Sequence, residues 1–321
     1  MFGLKLRMML ATALLFAIIY AVIAMIGSSM GISNFSFYLV LSVVMMLIQY
    51  MIGPKIVEWS MKVKYIKEGE YPKLHAMIKE LAMKANIPVP RIGIAQISVP
   101  NAFAFGRSMK DGRICVTEGI MNLLKENELR AVLGHEMSHI KNRDVLTITL
   151  LSVIPMILYR IAWQLMFYNR RDSRDSGSNT ALIGLAAFIF YFITNLLVLY
   201  ASRIREYFAD KGSVDLGSRP ADLASALYKL VYGSARMPKE AIKDVEGMKA
   251  FFANDPSRAM KELKDLRDLD IDKSGTIDSS ELLALEAKTV HLGFGDKLME
   301  IMSTHPNMLK RIKRLSAWRA S

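Results

Sequence analysis

Long uncharged stretches of apolar residues predict helices that cross a membrane. No charged side chain occurs in residues 8–54, and the apolar run is interrupted only by a small polar stretch at 27–34. Because about 20 apolar residues span the hydrocarbon core of a bilayer, this region predicts a hairpin of two transmembrane helices. A third transmembrane helix is predicted at 145–168, which contains the single charge Arg160, and a fourth at 180–201.

Basic residues flank the predicted hairpin on both sides and indicate its orientation. They are Lys5, Arg7, Lys55, Lys62, Lys64 and Lys67. Because Lys and Arg are enriched in cytoplasmic loops, both flanks of the hairpin are predicted on the cytoplasmic side of the plasma membrane. Four spans would return the chain to the same side, so both termini are predicted to be cytoplasmic. The loop 169–179 would then be external, although it carries three arginines and two aspartates. A cleaved signal peptide is the alternative for the first span, and the immediate second span argues against it.

The composition agrees with a chain that is partly embedded in lipid. Of its 321 residues, 52% are hydrophobic, and the formal net charge is +12. Basic residues beside uncharged spans suit a surface of anionic lipid better than nucleic acid, so the lipid bilayer is the expected partner and nucleic acid is not. The single cysteine, Cys115, excludes an internal disulfide and any metal cluster held by cysteines alone.

Two soluble stretches, 56–144 and 202–321, are expected to fold together as one domain between and beyond the spans. The membrane part then consists of a two-helix hairpin at 1–55 and of the third and fourth helices at 145–201. Neither soluble stretch contains a repeat or a low-complexity segment. The sequence leaves the oligomeric state open.

The first soluble stretch predicts both helix and strand. Residues 75–85 have apolar positions at helical spacing, whereas 91–97 and 113–117 alternate in the manner of β-strands. Asp111 and Gly112 predict a turn before the second of these strands. A small β-sheet is therefore expected in a mainly helical protein.

A further helix, predicted to begin at the N-cap residue Asn127, carries the sequence HEMSH. Its residues His135 and His139 are four positions apart and share one helical face, so that both imidazoles can bind a single zinc ion. Glu136 between them is of the type that takes a proton from the attacking water in metallopeptidases. The alternative is a pair of surface histidines without a metal.

A catalytic zinc ion needs a third protein ligand, and Glu206 in SRIREYFAD, just beyond the fourth span, is the candidate. Asp210, one turn later, could accept a hydrogen bond from the second nitrogen of a ligating histidine. Ordinary ion pairs with neighbouring basic residues are the alternative for both carboxylates. If the helices of His139 and Glu206 continue unbroken into their spans, the metal would lie within roughly 10 Å of the membrane surface.

Four ordered motifs resemble the HtpX-like membrane zinc metalloproteases, a family that also includes the CAAX prenyl proteases. The resemblance covers nearly the whole chain. The motifs are PNAFAFG at 100–106, LGHEMSHIKNRD at 133–144, SRIREYFAD at 202–210 and STHPNMLKRI at 303–312. It implies a mainly α membrane protein with four transmembrane helices and a cytoplasmic, zincin-like α+β metalloprotease domain.

Transferred to this sequence, the resemblance implies one zinc ion on His135, His139 and Glu206, with Glu136 as general base and Asp210 behind the ligands. It also implies that His305 lies near the scissile carbonyl and donates a hydrogen bond to the oxyanion. A structural histidine before Pro306 is the alternative. The edge strand along which such enzymes align an extended peptide would comprise Asn101, Ala102, Phe103 and Ala104, unless these residues form an ordinary core strand.

An acidic loop, DIDKSGTIDSSE at 270–281, is not expected in HtpX-like proteins and has the spacing of a calcium-binding EF-hand loop. Helix-forming segments flank it in an insertion of about 256–290. The alternative is an acidic surface loop that binds no metal. The candidate calcium ligands are Asp270, Asp272, Ser274, Thr276, Asp278 and Glu281.

The resemblance implies a zinc endopeptidase that hydrolyses misfolded or surplus membrane proteins, or unfolded polypeptides, at the cytoplasmic face as part of membrane protein quality control and the stress response. A selective processing protease of the CAAX type is one alternative. A calcium-responsive membrane scaffold with a structural zinc site is another, and Glu136 argues against it because a structural site needs no base.

Overall fold

A computed structural model describes residues 35–144, 177–238, 259–287 and 293–318, with isolated positions at 147, 158, 159, 162 and 240. The first predicted span lies outside the described residues, and so does the third apart from four isolated positions. The chain divides into two compact units. The first comprises Met1–Ile52 and Leu146–Ile204, and the second comprises Gly53–Val145 and Arg205–Ser321.

The described elements are mostly helices, with one small sheet. In chain order they are α1 (Phe35–Ser60), β1 (Val63–Tyr65), α2 (Pro72–Ala85), β2 (Arg91–Ala95), β3 (Ala102–Phe105), β4 (Arg113–Thr117), α3 (Glu118–Leu123), α4 (Glu126–Lys141), α5 (Gly177–Asp215), α6 (Pro220–Ala235), α7 (Ala259–Leu266), α8 (Ser279–Ala287), α9 (Phe294–Ile301) and α10 (Met308–Ser316).

Helix α5 contains the fourth predicted span and continues well beyond it. Among the described residues one helix is long and apolar enough to cross a membrane, and it is the part of α5 at Leu182–Asp215. Only 22% of its most apolar window is buried, unlike the core helix of a soluble protein. Exposed apolar side chains recur along it at Leu182, Leu185, Ile189 and Ile193. The second predicted span is also helical, as α1.

The sheet of the second unit has the strand order β1-β2-β4-β3. The two predicted strands, β2 and β4, pair with each other in parallel, and β3 pairs antiparallel with β4. The first of them ends at Ala95, two residues earlier than predicted. The predicted turn at Asp111 and Gly112 closes the connection from β3 to β4, where the Asp111 carboxylate accepts a 2.8 Å hydrogen bond from Arg107 Nε. Because β3 is the last strand in this order, it lies at one edge of the sheet.

Helix α4 differs from the prediction at both ends. It begins at Glu126, so the N-cap assignment of Asn127 is wrong, because the Asn127 side chain instead donates a 2.5 Å hydrogen bond to Asp222 of α6. It ends at Lys141, and Arg143 follows with a φ of 55°, in the left-handed region. The expectation that this helix runs unbroken into the third span is therefore wrong. The same expectation for α5 is confirmed, since one helix includes residues 180–201 and Glu206.

Two glycines let α4 and α5 approach each other closely in the second unit. A Cβ on Gly212 would lie 2.1 Å from Ser138 Oγ, and one on Gly134 would lie 3.0 Å from Ser213 Oγ. The Ser213 hydroxyl donates a 2.6 Å hydrogen bond to the carbonyl of Ala131 across the same contact. This close packing brings the HEMSH turn of α4 against the turns of α5 just after its apolar stretch.

Candidate metal centre

The three predicted zinc ligands converge on one point of the second unit. The Nε2 atoms of His135 and His139 are 3.1 Å apart. Each is 3.5 Å from a carboxylate oxygen of Glu206. Ligands held at about 2.0–2.1 Å around a tetrahedral zinc ion are separated by about 3.3–3.5 Å, so the contacts to Glu206 fit directly and the two imidazole nitrogens need only move apart by a few tenths of an ångström.

A carboxylate contacts the Nδ1 atom of each histidine, the nitrogen that does not face the other ring. Nδ1 of His135 is 2.9 Å from Asp210 Oδ1, and Nδ1 of His139 is 2.6 Å from Asp144 Oδ2. With a metal between the rings, each ring proton would stay on Nδ1 beside its carboxylate, and each Nε2 would offer its lone pair as a ligand. Two imidazole nitrogens and a buried carboxylate aimed at one point can hold a cation. They form the donor set that zinc takes in catalytic sites.

Each carboxylate behind a histidine has its own arginine. Arg311 is fully buried and binds Asp210 through two hydrogen bonds, 2.6 Å from Nη2 to Oδ1 and 3.0 Å from Nε to Oδ2. Its Nη1 is also 3.3 Å from Glu206 Oε2. Arg205 Nε is 3.1 Å from Asp144 Oδ1. The predicted position of Asp210 next to a ligand is thus observed, and these arginines fix both carboxylates.

The charge of this cluster favours a cation between the histidines. Burial opposes protonation of His139, but its hydrogen bonds to Asp144 and Glu206 outweigh burial and raise its pKa to about 10. The acidic surroundings thus stabilise a positive charge at the His139 imidazole. A proton supplies this charge when no metal is bound, and a metal ion would replace that proton.

Glu136 faces the edge of the sheet. Its side chain is only 4% exposed, and its carboxylate accepts a hydrogen bond from the backbone N–H of Ala104 in β3. Burial raises the pKa of the Glu136 carboxyl, an effect that the two neighbouring imidazoles partly offset. A carboxyl group held in this way beside the candidate zinc ligands is suited to exchange protons with a reacting group.

His305 lies at the same centre. Its Nε2 is 3.9 Å from Glu206 Oε1, and its Nδ1 is 2.9 Å from the hydroxyl of Thr304. The side chain is 7% exposed. His305 thus lies beside a candidate zinc ligand, and its position near a scissile carbonyl and its role in stabilising an oxyanion stay predictions.

The strand predicted to bind substrate lies at the edge of the sheet, but most of its side chains are buried. Its backbone lies at the edge of the described sheet, as expected for a strand that receives a peptide. The side chains of Ala102 and Phe103 are buried, and the ring of Phe103 stacks on Phe105 with the centroids 5.8 Å apart. Asn101 was predicted as part of this strand, but β3 begins at Ala102, and the Asn101 backbone N–H donates a 2.9 Å hydrogen bond to Thr117 Oγ1. The backbone edge of β3, rather than these buried side chains, is therefore the surface that a peptide could reach.

Sequence reasoning missed Asp144 and Arg311 as parts of the centre. Both residues belong to the motifs at 133–144 and 303–312, which was the only available signal. Asp144 comes five residues after His139, beyond the end of α4, and it reaches the imidazole because the chain turns back at Arg143. Arg311 is 101 positions from Asp210, so the sequence alone could not predict this pair.

Comparisons with known proteins agree with the motifs. The model of Peptidase family M48 matches residues 68–319. A protein described as a protease HtpX homolog from Methanothermobacter thermautotrophicus is 56% identical over 228 residues, which cover 71% of this chain and 86% of the relative. Another, from Moorella thermoacetica, is 33% identical over 318 residues, covering 98% and 93%.

A solved structure shares the fold. The crystal structure of S. mikatae Ste24p superposes with a TM-score of 0.51 at 18% identity, and the match covers 98% of this chain and 67% of that one. The resemblance to HtpX-like proteins is therefore confirmed, and the fold is shared with Ste24p.

Proposed function

The chain belongs to Peptidase family M48, as an HtpX-like member, and from this membership we propose that it is a membrane-bound zinc endopeptidase. The observation that carries the proposal is the convergence of His135, His139 and Glu206, whose ligand atoms all lie within 4.8 Å of one another. Zinc, when bound, would polarise a peptide carbonyl and acidify a water molecule. The residues of the chain itself supply the remaining chemistry.

Glu136 is the proposed general base and later the general acid. It would take a proton from the attacking water and return it to the leaving amine, since its burial keeps the pKa of the carboxyl above its ordinary value. The hydrogen bond from the Ala104 N–H fixes the direction of this carboxylate. His305 would donate a hydrogen bond to the oxygen that becomes negative as the carbonyl is attacked.

The edge of β3 is the proposed binding surface for the substrate. An extended peptide that adds to this edge would be held by main-chain hydrogen bonds. It would pass next to Glu136, whose carboxylate accepts a hydrogen bond from Ala104 of the same strand. Recognition through the backbone is tolerant of side chains. It therefore favours unfolded or surplus polypeptides over one defined sequence.

Membrane-protein quality control at the cytoplasmic face is the proposed role. Its support is the apolar stretch of α5, which leads within the same helix to Glu206, and the basic flanks of the hairpin. A ligand held on a membrane helix suits substrates that are themselves in the bilayer. A selective protease of lipidated C-terminal peptides would instead cleave such peptides and spare unfolded membrane proteins.

The test uses purified full-length protein in detergent with zinc, and measures cleavage of casein and of a denatured membrane protein. Glu136→Gln should abolish cleavage, with a loss of at least about 100-fold, while zinc stays bound. Glu126→Gln is the matched control, because this exposed glutamate lies in the first turn of the same helix. Cleavage by Glu136→Gln at the rate of Glu126→Gln would contradict the role of Glu136, and zinc binding without cleavage by the unaltered protein would favour a zinc-binding scaffold.

A further inference from the structure

The loop between α7 and α8 gathers four carboxylates within twelve residues. They belong to Asp270, Asp272, Asp278 and Glu281. Oxygens of Asp270, Asp272 and Glu281 lie within 4.8 Å of one another. Carboxylates packed so closely repel each other unless a cation lies between them.

One carboxylate oxygen of Asp270 is buried without a hydrogen-bond partner among the described residues. Asp270 is only 9% exposed, and its Oδ2 accepts hydrogen bonds from the Gly275 N–H at 3.0 Å and from the Tyr228 hydroxyl at 3.2 Å. Its Oδ1 is equally buried and has no hydrogen-bond partner among the described residues. Leaving a buried carboxylate oxygen unpaired is costly, so its position requires a ligand that the protein itself does not provide.

The rest of the loop presents oxygen atoms at the required positions. Gly275 has a φ of 77°, which permits the sharp turn in the middle of the loop. On either side of this glycine, the Ser274 hydroxyl and the Thr276 carbonyl oxygen are 3.4 Å apart. Both oxygens of Glu281 accept backbone N–H groups of the loop, from Ile271 at 2.7 Å and Asp278 at 3.0 Å, which fixes the carboxylate in place.

We propose that residues 270–281 bind one Ca²⁺ ion, with ligand oxygens from Asp270, Asp272, Ser274, Thr276, Asp278 and Glu281. Oxygen ligands alone suit calcium, which takes six to eight of them, whereas zinc prefers the nitrogen and sulfur donors that this loop lacks. Magnesium prefers a smaller octahedral set and retains its waters. The site is separate in its ligands from the zinc centre, so neither proposal depends on the other.

The ion would act as a structural link among the C-terminal helices. Tyr228 of α6 bonds Asp270 at the start of the loop. At the far end of α8, Lys313 of α10 donates hydrogen bonds to the carbonyls of Leu285 and Glu286, at 2.7 and 2.5 Å. Because α10 also carries Arg311, calcium would stabilise the helix that holds Asp210 at the zinc centre.

Asp270→Asn tests the site with little change in shape. The amide oxygen can still accept from Gly275 and Tyr228, while the amide nitrogen would occupy the place of Oδ1 and cannot bind a cation. Asp268→Asn is the matched control, because it removes the same charge from an exposed position two residues earlier. Asp272→Ala is a second loop variant, chosen because Asp272 is also exposed.

The measurement is calcium titration calorimetry on the zinc-loaded, full-length protein, with Glu136→Gln in every variant to prevent self-cleavage. We expect one Ca²⁺ per chain with a Kd below about 1 mM in the reference and in Asp268→Asn, and at least about tenfold weaker binding in Asp270→Asn and Asp272→Ala. Calcium should raise the thermal midpoint of the first two proteins only.

Two results would overturn the inference. One is the absence of binding to the reference protein up to about 10 mM calcium, beyond the range of known sites of this type. The other is binding that is equally tight in Asp268→Asn and in whichever loop variants fold, as judged by a cooperative thermal transition. Since Glu136 is already replaced, neither result depends on peptidase activity.

Discussion

The guanidinium of Arg311 binds the carboxylate of Asp210 from 101 positions away in the chain, and both side chains are buried. Asp210 in turn contacts Nδ1 of His135 at 2.9 Å, so a single chain of contacts runs from α10 to a proposed zinc ligand. Arg311 also lies 3.3 Å from Glu206, a second proposed ligand. The arginine is therefore a positioning residue for two of the three ligands.

Replacing Arg311 by Met should lower the free energy of unfolding by about 3–5 kcal/mol, because the carboxylates of Asp210 and Glu206 would lose a buried partner. Arg311→Lys should restore little, since a lysine cannot form the paired hydrogen bonds. Urea unfolding of the zinc-loaded protein measures this change.

The matched control for that experiment is Arg314→Met, one turn later in α10. The Arg314 guanidinium lies over the ring of Tyr207, 4.6 Å from its centroid, and no ion pair with a buried carboxylate is observed for it in the described part of the chain. We expect a loss of about 1 kcal/mol or less. Similar losses for the two arginines would contradict the role assigned to Arg311.

Asp144→Asn should weaken zinc binding by about 10–100-fold, because a neutral amide in place of the carboxylate lowers the basicity of the His139 imidazole. Competition with a chelator of known affinity measures the change. Excess zinc should restore much of the peptidase activity, which a collapsed fold would not allow. Asp215→Asn, which removes an exposed carboxylate at the end of α5, should leave zinc affinity unchanged.

Gly212→Ala should lower the free energy of unfolding by about 1–3 kcal/mol, because its Cβ would lie 2.1 Å from Ser138 Oγ and force α4 and α5 apart. Gly295→Ala in α9 is the control. Its Cβ would have no atom within 4 Å, so better helix propensity should stabilise the protein by about 0.5–1 kcal/mol. Adding Ser138→Gly should rescue Gly212→Ala. Failure of this rescue would argue against the helix contact.

Local spacing explains which parts of the centre the sequence could predict. His135 and His139 are four residues apart within one helix, so their common face follows from helical geometry alone. Glu206 was the candidate third ligand from its position just beyond the fourth predicted span, with an ordinary ion pair as the alternative, and the resemblance implied the same residue. The partners of Asp144 and Asp210 depend on packing between distant segments, which no local pattern encodes.

The errors at α4 have a physical cause of the same kind. Asn127 is a favourable N-cap residue, but α4 begins one residue before it, and its side-chain amide donates a hydrogen bond to Asp222, 95 positions later in the chain. The helix ends at Lys141, and the left-handed conformation of Arg143 turns the chain so that Asp144 contacts His139.

X-ray absorption at the zinc edge, on Glu136→Gln protein purified with one equivalent of zinc, tests the central claim most directly. We expect one zinc ion with two imidazole nitrogens and a carboxylate oxygen at about 2.0–2.1 Å. In Glu206→Ala, the carboxylate oxygen should be lost and zinc should be bound less tightly. A spectrum without imidazole ligands, or one unchanged by Glu206→Ala, would contradict the central claim.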